Sequence, residues 1–250
     1  MNDKKPALAA WNLVTRPKSE GGLGVIKIQV QNNALLLKNH HKFFNRMDLP
    51  WVNLLWDNYY ANGAVPDNKK KCSFWWRSIL KLLTEYKGLA SVQIQDGKSV
   101  QLWSDLWNGN IRSLSAPQLF SFTNDQAITV KSAWNLPELH QLFQLPLSEQ
   151  AYQQFLILSE ELAEFNLNNS PDLWTYIWGN QSFSTRKSYK VLIGHSPTHP
   201  SFMWTWKSKC QPKHKVFFWL LLQGCINTRG RLRERNMDLD SYTCENCILQ

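Results

Sequence analysis

Two cysteines near one end of the chain, Cys244-Glu245-Asn246-Cys247, form the pattern with the clearest metal chemistry. Two thiolates three positions apart face one zinc ion when the chain turns between them. Tetrahedral coordination then needs two further Cys or His ligands, commonly downstream. Only Ile248, Leu249 and Gln250 follow. His214 and Cys225 lie upstream without the spacing of a partnered pair, His214 inside an expected helix and Cys225 just after it. A redox reading of the motif wants a strand-to-helix context that is absent. Taken alone, such a pair also arises by coincidence. Cys72, Cys210 and Cys225 stand apart among apolar or basic neighbours and are expected to be ordinary buried thiols.

A second candidate is Trp103-Ser104-Asp105-Leu106-Trp107. If extended, it puts Asp105 between two indoles on one face. That resembles a sugar-binding or acid–base arrangement, but no second carboxylate stands nearby in sequence to complete a glycosidase pair. The preferred reading is a capped turn with two packing anchors.

The third candidate is electrostatic. The formal net charge is +9. Between Lys131 and Arg186 there is no Lys or Arg, while Glu138, Glu149, Glu160, Glu161, Glu164 and Asp172 fall there. From Trp204 to Asn236 the chain carries Lys207, Lys209, Lys213, Lys215, Arg229, Arg231, Arg233 and Arg235 against Glu234 alone. A basic block near one end favours a polyanionic partner, because each phosphate contact releases condensed counterions. The bland alternative is a solvated basic face. Trp204 and Trp206 could offer stacking faces beside these cations, whereas Trp219 lies in an apolar run and is expected in the core.

Composition excludes other classes. Hydrophobic residues make up 43% of the 250, enough for a packed core in one large domain or two small ones. Thirteen tryptophans imply several aromatic clusters. The longest apolar run, Val216 to Leu222, falls far short of the ~20 residues that cross a bilayer, so no membrane partner is expected. The first residues lack the apolar stretch of a secretory signal, and five cysteines are an odd number for a disulfide framework. An intracellular location is the expectation, with the nucleus among the compartments left open.

The positioning elements follow from periodicity and caps. Helices are expected at residues 29–46, 51–60, 74–86 (capped by Ser73, with a Trp75, Ile79, Leu82, Leu83 stripe) and 148–165. Others are expected from Ser184 or Thr185 to Gly194, over 213–223 with Pro212 first and Gly224 at the end, and over 229–235 capped by Thr228. Gly21-Gly22-Leu23-Gly24 lacks a phosphate-cradle arrangement and reads as backbone permissiveness. Asp96-Gly97 predicts a hairpin over 92–103, and a small sheet is expected around 173–183. His195 to Pro200 reads as a linker, which divides the chain into 1–195 and 201–250. The fold class is α+β: predominantly α-helical, with a small β-hairpin and short antiparallel strands.

Taken in order, Trp204-Thr205-Trp206-Lys207, Pro212 to Leu220, Thr228, Leu232, Arg235, Cys244 and Cys247 resemble the reverse-transcriptase zinc-binding domain of plant LINE-type (non-LTR) retrotransposon polyproteins. Upstream, Trp11, Pro17-Lys18, the glycine turn, Asn33 to Leu36 and Lys38 match a segment that follows the polymerase thumb in that family. So do Asp96-Gly97, Trp103, Asp105, Trp107, Asp172, Trp174, Phe183 and Tyr189. The resemblance departs at Asn39, where the family has tryptophan after lysine, a drift common in decayed copies.

The resemblance implies that 1–195 is a post-polymerase connecting region and that 201–250 is the zinc-binding domain. In the family a glutamate, a histidine and a final cysteine follow the CxxC, and this chain stops before them, so the domain is incomplete as it stands. The chain has no adjacent Asp-Asp pair, which polymerases of this class use to hold two metal ions. The expected function is therefore a non-catalytic accessory region of a retrotransposon reverse transcriptase. It would bind RNA or DNA through Lys207 to Lys215 and Arg229 to Arg235, assisted by zinc at Cys244 and Cys247. Its other partner would be the polymerase domain of the full polyprotein. The alternative is a decayed transposon fragment with no selected activity.

Overall fold

The computed structural model describes residues 8–59 and 73–241. Cys72, Cys244 and Cys247 lie outside them. In chain order the helices begin with α1 (Trp11–Thr15), α2 (Ile28–Phe44), α3 (Pro50–Tyr59), α4 (Phe74–Leu80) and α5 (Leu83–Leu89). After strand β1 (Ala90–Gln93) come α6 (Arg112–Ser115), α7 (Pro117–Ser121), α8 (Val130–Trp134) and α9 (Glu149–Glu164). Strand β2 (Leu173–Tyr176) precedes α10 (Thr185–Ile193), α11 (Pro200–Lys207), α12 (Pro212–Leu222) and α13 (Arg229–Glu234). Helices thus dominate beside one two-stranded antiparallel sheet, the α+β class expected.

Local capping chemistry places several helix starts. Ser73, Ser148 and Thr228 each accept a backbone N–H from three residues on, at Trp76, Ala151 and Arg231. The expected helix over 74–86 is interrupted instead, because Leu82 leaves helical geometry at φ −99°, ψ 12°. Within α4 the buried face is Trp76, Ile79 and Leu80, not the Trp75 stripe: Trp76 is buried and Trp75 is exposed, edge-on to Trp51 at 5.3 Å.

The chain forms two compact units, residues 32–189 and the paired segments 1–31 and 190–250. The core of the larger unit is aromatic. On α2, Ala34, Leu37, His40 and Phe44 fall at helical spacing and are buried. Phe43 stacks on Trp56 at 4.9 Å and meets Trp76 at 5.0 Å; Phe44 stacks on Tyr86 at 5.3 Å and meets Trp174 at 4.9 Å. A second cluster joins Trp103 to Phe120 and Phe143.

The hairpin expected over 92–103 does not form. β1 pairs instead with β2, Ala90 opposite Tyr176 and Val92 opposite Trp174. The Asp96-Gly97 turn is present, with Gly97 at φ +66°. Its backbone donors, however, are taken by a carboxylate remote in sequence: Gln95, Gly97 and Ser99 N–H donate to Asp172 at 2.8, 2.9 and 3.1 Å. Residues 100–102 bond residues 128–130 instead, through Leu102 N–H to Ile128 and Val130 N–H to Val100. Because Asp172 directly precedes β2, the same carboxylate delivers that strand to β1. Ser182-Phe183 forms no strand either; the Phe183 ring packs on His41 and Tyr176.

In the smaller unit, the glycine turn holds α12. Gly21 has φ +78°, and its carbonyl accepts the Trp219 indole N–H at 2.6 Å and the Gln223 amide at 2.9 Å. At Gly22 a Cβ would lie 2.0 Å from the Arg16 carbonyl oxygen, so only glycine lets the turn close. Trp219 is the buried residue of α12, while Val216, Phe217, Phe218, Leu221 and Leu222 are exposed.

Candidate nucleic-acid interface

The four lysines of the basic block follow the passage from α11 into α12. Lys207 closes α11, Lys209 lies in the connection, and Lys213 and Lys215 open α12. Lys207, Lys209 and Lys213 are exposed, and no ion pair engages them among the described residues. Lys215 is committed to structure: its half-buried ammonium donates to the Trp206 carbonyl at 3.0 Å and ties α12 to α11. On α13, Arg229, Arg231 and Arg233 are exposed, as is Arg235 at its C-cap. Arg231 pairs with Glu234 at 2.6 Å, and Arg235 donates to Asn227 Oδ1 at 2.7 Å. An exposed pair of this kind contributes little and yields readily to a phosphate.

The three tryptophans divide as burial dictates. Trp219 is core. Trp206 is half-buried with the Lys18 ammonium 5.2 Å from its ring centroid. Trp204 is 71% exposed, three residues before Lys207 and therefore beside it on α11.

No cluster of three or more His, Cys, Asp or Glu side chains able to hold a metal occurs among the described residues. Cys210 is exposed and Cys225 half-buried, so the expectation of buried thiols fails for both: neither is drawn into the core that α12 presents only through Trp219. Cys244 and Cys247 lie outside the described residues, and no metal geometry follows for them.

Asp105 proves to be a packing device. It is fully buried, accepts the Gln101 N–H at 2.7 Å and pairs with Lys87 at 2.5 Å. Burial raises its pKa and the Lys87 ammonium opposes that rise. Trp103 and Trp107 are buried on either side, with the Trp107 indole N–H donating to the Leu102 carbonyl at 2.9 Å. Nothing in this arrangement leaves a carboxylate open to a substrate.

Sequence reasoning did not identify two buried polar groupings. Asp172 collects the three turn N–H groups and the Ser99 hydroxyl at 2.6 Å. His41 Nδ1 lies 2.6 Å from the Tyr176 hydroxyl and 3.0 Å from the Asn45 amide, and the Tyr86 hydroxyl lies 3.0 Å from that of Tyr176. Burial lowers the His41 pKa, helped by Lys38 and Lys42, and pushes that of Tyr176 up to about 12. The network is a neutral one that satisfies buried polar atoms. Apart from the Asn45–His41 pair, four residues apart, the partners lie 73 to 135 residues apart, so neither grouping carries a local sequence signature as a whole.

Comparison with known proteins adds to this geometry. Residues 183–250 match the family described as zinc-binding in reverse transcriptase. An Arabidopsis thaliana protein named for ribonuclease H is 25% identical over 255 residues, covering 98% of this chain. The chain spans 40% of that relative's length. No solved structure matches. The C-terminal segment thus carries the reverse-transcriptase zinc-binding pattern that the resemblance implied. The collinear plant relative accords with a region derived from a plant retrotransposon.

Proposed function

We propose that this region is a non-catalytic accessory segment of a non-LTR retrotransposon reverse transcriptase that binds RNA or DNA through the α11–α13 basic surface. The observation that carries the reading is the exposure of Lys207, Lys209 and Lys213 along one connection, without a carboxylate paired to any of them among the described residues. Cations held in water without internal partners are free to displace the counterions of a phosphate backbone. The four exposed arginines of α13 and its C-cap extend the same charge. The absence of an Asp-Asp pair supports the non-catalytic role, with the polymerase domain of a longer polyprotein as the second partner. The description of the matched family supports zinc bound through Cys244 and Cys247. Bound zinc would tie the two thiolates together as a structural clamp.

The test is a salt titration of binding to labelled RNA and DNA. Affinity should fall linearly on logarithmic axes, with a slope of roughly −0.9 per duplex phosphate contact. Replacing Lys207, Lys209 and Lys213 with alanine should reduce that slope by about 2 to 3. No affinity for any nucleic acid at low salt would remove the proposal and leave the decayed-fragment reading.

A further inference from the structure

We propose that Trp204 and Lys207 form a stacking site for an unpaired base, so that α11 prefers single-stranded nucleic acid to duplex. The inference rests on the nucleic-acid reading above and assigns it one site. The smaller unit shows what it does with a tryptophan it needs for packing: Trp219 is sealed at 1% exposure and bonded to Gly21, and Trp206 is half-covered beneath Lys18. Trp204 receives no such treatment. It stands 71% exposed on an ordered helix, with one face of a large apolar ring left in water.

That ring forms a wall of an open cleft of about 480 Å³, which Met203, Lys207, His195, Thr198 and Ser19 also line. The chemistry fits a nucleotide. The indole offers a π-face to any base, and stacking of this kind is tolerant of sequence. The Lys207 ammonium, one helical turn on, supplies a phosphate partner. The Ser19 and Thr198 hydroxyls can donate or accept, so they accommodate bases without selecting one. No carboxylate lines this cleft, and Glu20, next to Ser19 in the chain, is engaged by His195 Nδ1 at 2.9 Å and by the Ser196 N–H at 3.2 Å. A duplex closes its base faces by internal stacking, so it meets Lys207 but gains nothing from Trp204.

The experiment is fluorescence anisotropy of the full chain with labelled oligo-rU, oligo-dT and a duplex of the same length at low salt. Trp204→Ala should weaken single-strand binding roughly 5- to 150-fold while duplex affinity changes less than twofold. Trp204→Phe, which keeps an aromatic face, should recover most of the loss. Stronger loss with oligo-rU or with oligo-dT identifies RNA or DNA as the occupant, and either supports the site. Single-strand binding by Trp204→Ala equal to the parent overturns this inference alone and leaves the basic-surface reading standing. Failure of the parent chain to bind any of the three probes overturns both.

Discussion

Trp219 donates its indole N–H to the Gly21 carbonyl oxygen at 2.6 Å, across 198 residues of sequence. The contact joins α12 to a turn that only glycine can form at position 22, where a Cβ would sit 2.0 Å from the Arg16 carbonyl oxygen. Trp219→Phe keeps most of the buried ring and loses the hydrogen bond, and should destabilise the smaller unit by about 1 kcal/mol. Trp219→Ala should cost about 3–5 kcal/mol through the cavity left behind. Urea denaturation followed by circular dichroism measures both, and an unchanged midpoint for Trp219→Ala would contradict the packing described.

Asp172 holds four donors at once: three backbone N–H groups of the 95–99 turn and the Ser99 hydroxyl. Asp172→Asn preserves shape but removes the charge and can turn N–H₂ toward donors. A loss of about 2–4 kcal/mol is expected, since hydrogen bonds to a charged group are the stronger class and orphaned buried donors add their own cost. Ser99→Ala, which removes one of the four, should cost about 1–2 kcal/mol. Hydrogen exchange of the Gln95, Gly97 and Ser99 amides gives a direct readout: protection that survives Asp172→Asn would disprove the assignment.

Acid should weaken the larger unit through His40. Its Nε2 donates to the Ile79 carbonyl at 2.7 Å, and burial lowers its pKa from 6.5 to about 4. The unfolded chain therefore binds a proton near 6.5 that the fold refuses until about 4. This contribution to stability is complete above pH 6.5 and lost progressively as pH falls toward 4. Buried Asp96 and Asp105, with raised pKa values, act in the opposite sense at the acid end, where the fold holds their protons better than the unfolded chain. Between pH 7.5 and 5 the His40 loss should be about 2 kcal/mol. His40→Gln, compared at the same two pH values, should show less dependence by that amount; an equal dependence in both proteins would exclude His40 as its source.

Zinc should follow the terminal thiols. After purification in zinc, Cys244→Ser with Cys247→Ser should hold less metal per chain than the parent, measured by release to a colorimetric chelator. Cys210→Ser, at an exposed thiol with no metal-holding cluster around it among the described residues, should hold as much as the parent. Equal zinc in the double variant and the parent would refute the assignment of Cys244 and Cys247.

Much of this molecule is legible residue by residue because the governing physics is local. Ser73, Ser148 and Thr228 announce helix starts because a side-chain oxygen meets a backbone donor three residues on. Pro212 and Gly224 bracket α12 through fixed and left-handed backbone angles respectively. The basic block and the spacing of Cys244 and Cys247 are likewise plain in the chain itself. Trp75 and Trp76 show the limit: one position separates a surface indole from a core one, and the irregular turn at Leu82 lay beyond the reach of periodicity.

What the sequence by itself determined, then, is the helical class, the caps and the chemistry available near the C-terminus. Tertiary structure alone decided where the donors of the Asp96-Gly97 turn go, which strand lies beside β1, and which of Trp204 and Trp206 faces water. The physical reason is that caps and turns are satisfied within a few residues, whereas a buried N–H donates to whichever acceptor the packing brings. Here that partner was Asp172 for Gly97 and Gly21 for Trp219, and no local pattern marks either.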